Sequence, residues 1–165
     1  MKASVSSEWR RQVAAAAICA GFLTSTAPAA AQERIATLEE RFTGAERVVV
    51  ATARSVGGTW RQNIHGDRII VSRVRLVVDE TLKGAPANEV WMEIEGGTIG
   101  GWTLEVSSLP LMTAGDRAVF FLNADENNVH HPYLKGQGIL DLEGDMVRGS
   151  SLHLNQIRSA ARIRQ

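Results

Sequence analysis

His130-His131 is the only histidine pair in this 165-residue chain, and Asp125 and Glu126 stand just before it as further side chains able to hold a metal. Neighbouring residues of an extended segment point to opposite sides, so one ion would take one imidazole and need two or three ligands from elsewhere. His65 and His153 are isolated, and Cys19, the single cysteine, lies in an apolar run near the amino terminus. The spacing favours plain surface histidines, and no metal site or resident cofactor is expected.

Covalent and acid–base chemistry fare no better. Ser107-Ser108 and Ser150-Ser151 sit in turn-like stretches, but neither pair has the glycine-flanked elbow of a serine nucleophile, and nothing specifies a histidine and carboxylate to converge on them. Glu93 and Glu95 share one strand face, as a glycosidase pair would, yet they share it with Trp91 on what reads as the solvent side. The run Gly96-Gly97-Thr98-Ile99-Gly100-Gly101 lacks the lysine of a phosphate-cradling loop and opens no helix. No catalytic residue is therefore expected; a small hydrolase with an unrecognised site and an envelope structural protein are the alternatives to a binding role.

Binding is the chemistry the remaining residues suit. Trp60, Trp91 and Trp102 combine large apolar area with one donor each, the combination that dominates interfaces. Trp102 follows the double-glycine loop, where a partner backbone could approach closely, and Trp60 stands in the polar, glycine-rich stretch Gly57 to Gly66 as the better exposed anchor. The candidate ligand-binding residues are Trp60, Gly96, Gly97, Gly100, Gly101 and Trp102, on two loops at 57–67 and 96–102.

The elements that would position them are mostly strands. Residues 32–42 place Ile35, Leu38 and Phe42 at helical spacing ahead of Gly44, a short amphipathic helix with a glycine stop. Val48 to Ala53 reads as a first strand, interrupted by Gly57-Gly58. From Arg68 to Asp79, Ile70, Ser72, Val74, Leu76 and Val78 share one face, while Arg73 and Arg75 put the middle of the other in water. Glu89 to Glu95 alternates Val90, Met92 and Ile94 against charged residues and Trp91. Trp102 to Val106, Arg117 to Leu122 and Tyr133 to Leu142 complete the set, the last turning back through Glu143-Gly144-Asp145, and Leu154 to Ile163 reads as a short basic helix. These elements predict a mainly β domain, a small five- or six-stranded OB-like barrel with short N- and C-terminal helices; an immunoglobulin-like β-sandwich is the alternative.

The amino terminus reads as an export signal. Lys2, Arg10 and Arg11 precede an apolar run from Val13 to Leu23, and Ala29-Ala30-Ala31 supplies small residues for a cut before Gln32. An apolar stretch of about 11 residues falls short of the roughly 20 that a spanning helix needs, so residues 1–31 are expected to be a cleavable signal peptide and not a membrane anchor. Residues 32–165 then form one domain without cysteine, exported to the periplasm or beyond. With Lys2, Arg10, Arg11 and Glu8 gone, 15 basic and 17 acidic residues remain, a net charge of −2. That balance lacks the basic excess that binding a phosphate backbone requires, so no nucleic-acid partner is expected.

Several segments stand in a characteristic order: Val48 to Ala53, VVDETLKG from Val77 to Gly84, and GGTIGG from Gly96 to Gly101. Leu109-Pro110, Gly115 to Leu122 and Gly136-Gln137-Gly138 follow. Over roughly Ala45 to Leu142 the set resembles a group of secreted bacterial proteins of unassigned biochemistry. In strand layout that group is similar to the netrin-like and tissue-inhibitor-of-metalloproteinase barrel. Its members occur beside secreted metalloproteases, so the resemblance implies a binding module that associates with or modulates such a protease. Two departures stand out. Animal inhibitors of this type present an amino-terminal cysteine to the catalytic zinc, whereas this chain has none after Cys19, and Met112 stands where the resemblance leads one to expect an aromatic.

Overall fold

The computed structural model describes residues 34–163, and the signal segment with its cut before Gln32 lies outside the described residues. Helix α1, Leu38–Gly44, opens on a capping box in which Thr37 Oγ1 accepts from the Glu40 amide and the Glu40 carboxylate accepts from the Thr37 amide. The helix thus starts later than the periodicity predicts. The side-chain amide of Gln137 captures the residues before it, accepting from the Ala36 amide and donating to the Arg34 carbonyl. Ile35 consequently lies outside the helix and is 77% exposed, while Phe42 is buried as expected.

Strand β1, Arg47–Gln62, pairs antiparallel with β2, Arg68–Lys83, and runs straight through Gly57-Gly58. The expected interruption does not occur because the ladder with β2 continues there, Gly57 opposite Arg73 and Gly58 opposite Ser72. Strand β3, Glu89–Glu95, lies on the other side of β2. The glycine-rich run then forms a hairpin, β4 at Gly97–Ile99 and β5 at Trp102–Leu104, with Gly100-Gly101 at its tip. Strand β6, Arg117–Ala124, returns to pair with β1, giving the order β6-β1-β2-β3 of a Greek key.

Strand β7, His130–Pro132, is antiparallel to β6 and meets β3 in parallel at Met92, so five strands join in a ring, β1-β2-β3-β7-β6. Strands β8, Ile139–Glu143, and β9, Met146–Val147, continue from β6 and turn at Gly144 as expected. The expected single strand from Tyr133 to Leu142 is broken by a 3-10 helix at Lys135–Gly138. The reason is topological: β7 and β8 run in the same direction along β6, Tyr133 bonding Phe121 and Ile139 lying opposite Phe120, so residues 134–138 have no place in the ladder and must loop out. Leu134 and Lys135 take positive φ values of 56° and 54° to do so, and Gly138 lets the Tyr133 carbonyl stand where a Cβ would be.

Two cores share the strands. Val49, Ala51, Val74, Leu76, Met92, Ile94 and Phe120 fill one side. On the opposite face Val48, Val50, Val119 and Phe121 lie under the two helices, with Phe42 meeting Phe121 edge to face at 5.2 Å. Helix α2, Leu154–Arg162, contributes Leu154, Ile157 and Ala161, the residues its spacing selects. Burial on both faces explains why Val48 to Ala51 and Ala118 to Leu122 are unbroken apolar runs.

Candidate functional site

Alternation along β2 and β3 sends one set of side chains to the filled side of the ring and the other outward. The outward set places Arg73 opposite Glu93 and Arg75 opposite Trp91. Arg75 reaches Glu89 at 2.6 Å, and that contact holds the guanidinium pKa above its usual value and the carboxyl below its own. The Arg73 guanidinium lies over the Trp91 ring, 4.8 Å from its centre, with no ion-pair partner among the described residues. Arg61 crosses from β1 to bond Glu93 at 2.9 Å. Trp91 remains 42% exposed in the middle of this charged surface. Together with the Ser55–Thr59 stretch of β1, Arg61, Arg73, Trp91 and Glu93 bound an open cleft of about 410 Å³.

A loop is tied to the same surface. Asp125 Oδ1 accepts from the Asn127 and Val129 amides, and the Val129 bond is the main reason its carboxyl is held below the usual range. Its Oδ2 lies 3.3 Å from His131 Nε2, while His131 Nδ1 stands 3.1 Å from the Glu93 carbonyl. The loop at 125–129 is thereby fastened beside the cleft. His130 behaves differently: burial, with Arg47 nearby, pushes its pKa down. His153 caps α2, accepting from the Asn155 amide. Among the described residues, no group of three or more His, Cys, Asp or Glu is arranged to hold a metal ion.

The residues singled out from the sequence divide. The structure does bring the two candidate loops together, since the Thr98 carbonyl lies so close over Gly58 that a Cβ there would be 2.5 Å from it. Gly96 and Gly97 are buried with φ of 95° and 129°, and Ser72, the one polar residue on the apolar face of β2, donates to the Gly96 carbonyl at 2.7 Å. Gly100 and Gly101 at the tip face open space. Trp102 is 70% exposed. Trp60 is not the exposed anchor expected: it sits opposite buried Ile70, half-buried, with the Arg68 guanidinium 4.2 Å above its ring.

The cleft residues Arg61, Arg73, Trp91 and Glu93 escape a motif search because three strands supply them. One local signal points there: Trp91 is the lone aromatic in an otherwise acidic alternation, Glu89, Glu93 and Glu95, on a solvent-facing strand side. A second open cleft, about 420 Å³, lies where Pro110 to Thr113 meets Asp116, Arg117, Asp141 and Arg148. Arg117 is occupied there by Asp79 at 3.0 Å, and burial raises the Asp141 pKa.

No protein-family model and no curated protein matches this chain. No helix among the described residues is long and apolar enough to cross a membrane.

Proposed function

We propose that this chain is an exported, non-enzymatic binding module built on a partly open OB-type barrel, and that it engages a secreted metalloprotease through the outward face of β1, β2 and β3. The barrel reading is supported by the Greek-key order and by β7 joining β6 to β3. Barrels of this type bind along the face of their second and third strands and through the loops after the first and fourth. Here those are the β2–β3 surface, the loop at 63–67 and the loop at 125–129. The observation that carries the proposal is Trp91, an exposed aromatic beside an unpaired arginine and an open cleft, on the face such barrels use. The ring interior is packed with aliphatic and aromatic side chains, so contact falls to the outside. The protease as partner comes from the resemblance.

The test takes the exported protein, whose mass should place its first residue at or near Gln32, and titrates it into a zinc metalloprotease secreted by the same cells. Saturable binding by calorimetry, lost in Trp91→Ala with the melting temperature unchanged, is the expected result. Binding unaffected by Trp91→Ala would displace the surface, absence of binding would remove the protease, and turnover in a broad hydrolase panel would end the non-enzymatic reading.

A further inference from the structure

Beyond Ala53, β1 loses its second neighbour. Its pairing with β6 covers Arg47 to Thr52, and Ala53 completes the contact by donating to the Asp116 carbonyl and accepting from the Gly115 amide. From Arg54 to Gln62 the strand is paired, among the described residues, with β2 alone. The direction of its free groups follows from Ile70, whose carbonyl accepts from Gly96 on the side away from β1. Its cross-strand partner Trp60 must likewise turn its N–H and C=O away from β2, and by alternation so must Gly58 and Val56. This is an open sheet edge of a length that ordinary proteins cover or blunt.

The surface beside that edge is not flat. Gly57 has nothing within 4 Å of where its Cβ would be, and the cleft of about 410 Å³ opens over it. A side chain at 57 would fill this notch; glycine leaves it for a neighbouring strand. Arg61 and Arg73 flank it, Arg54 precedes it, and among the described residues the only acid lining it, Glu93, is engaged by Arg61 with its own side chain 14% exposed. The edge therefore carries a net positive charge. A second copy of the chain would set the same arginines against one another, whereas an acidic segment would complement them.

We infer that the β1 edge from Ser55 to Thr59 accepts an extended acidic segment of a partner protein by strand addition, its backbone pairing with Val56 and Gly58 and one carboxylate side chain lying over Gly57 between Arg61 and Arg73. Main-chain pairing supplies the attachment, and the notch with its arginines supplies the selectivity. The inference rests on the reading of the chain as a binding module and names the chemistry of its partner.

The probe is a blocked seven-residue peptide of alternating threonine and valine with a central glutamate, titrated into the exported protein and followed by backbone amide NMR. Saturable shifts centred on Val56 and Gly58 are expected. Affinity should fall about tenfold when the central glutamate becomes glutamine, and binding should vanish when alternate peptide nitrogens are methylated. Gly57→Val, which fills the notch on an exposed strand face, should fold with an unchanged melting temperature and lose the peptide. No shifts at millimolar peptide, binding that survives methylation, or self-association through the same amides would overturn the inference. If Gly57→Val still binds the protease while Trp91→Ala does not, strand addition fails and the binding-module reading stands.

Discussion

The hydroxyl of Ser72 occupies the place where a side chain on residue 97 would begin. Ser72 is buried, bonds the Gly96 carbonyl, and so fixes the point at which the chain leaves β3 and folds the β4–β5 hairpin back across the β1–β2 ribbon. Gly97→Ala combines this overlap with a φ of 129° and should destabilise by about 3 kcal/mol. Gly100→Ala meets open space and carries only the left-handed backbone cost, about 1 kcal/mol. Ser72→Ala should relieve part of the Gly97→Ala loss. A coupling of about 1 kcal/mol or more in a double-mutant cycle, read from urea midpoints, is the expected result, and strict additivity would show that the two sites do not meet.

Trp60 and Trp91 should separate stability from binding. Trp60 is half-buried beneath Arg68, and its removal should cost about 2 kcal/mol, below the range for a full core tryptophan. Trp91→Ala, on the outward face, should cost less than about 1 kcal/mol. Chemical denaturation of the two variants checks the order, and the reverse order would place Trp91 in a packed environment.

Asp141 makes a pH-dependent contribution of definite sign. Burial raises its folded-state pKa, with Arg148 opposing, so between the ordinary carboxylate value and the raised one the folded state binds more protons than the unfolded. Stability is therefore lost as pH rises through that window, and the ionised carboxylate is a liability at neutrality. Asp141→Asn should melt higher than the parent at pH 7, with the gap closing below about pH 3. A lower melting temperature at pH 7 would mean that attraction to Arg148 outweighs burial.

Gln137 should control the entry into α1. Its amide holds Ala36 and Arg34 from a hundred residues away, and Gln137→Ala removes both bonds. A stability loss of about 1–2 kcal/mol is expected, with faster tryptic cleavage after Arg34. Unchanged cleavage would show that the Thr37–Glu40 capping box holds this segment alone.

Periodicity within single segments was legible from the sequence alone. It assigned the faces of β2 and β3 through Val74 and Leu76 against Arg73 and Arg75, marked Leu154, Ile157 and Ala161 as the buried side of α2, and located the turn at Gly144. Those features follow from which side of a strand or helix a residue occupies, and neighbours in the chain decide that. Tertiary structure decided the rest. Gly57-Gly58 reads as a break, yet the ladder with β2 carries β1 through it; Tyr133 to Leu142 reads as a strand, yet the pairing of β7 and β8 along β6 loops out residues 134–138. The surface of Arg61, Arg73, Trp91 and Glu93 forms only when three strands align in register, and Trp60 is half-buried only because β2 and Arg68 lie against it. Alternation fixes which way a side chain points, and pairing between distant segments fixes what it meets.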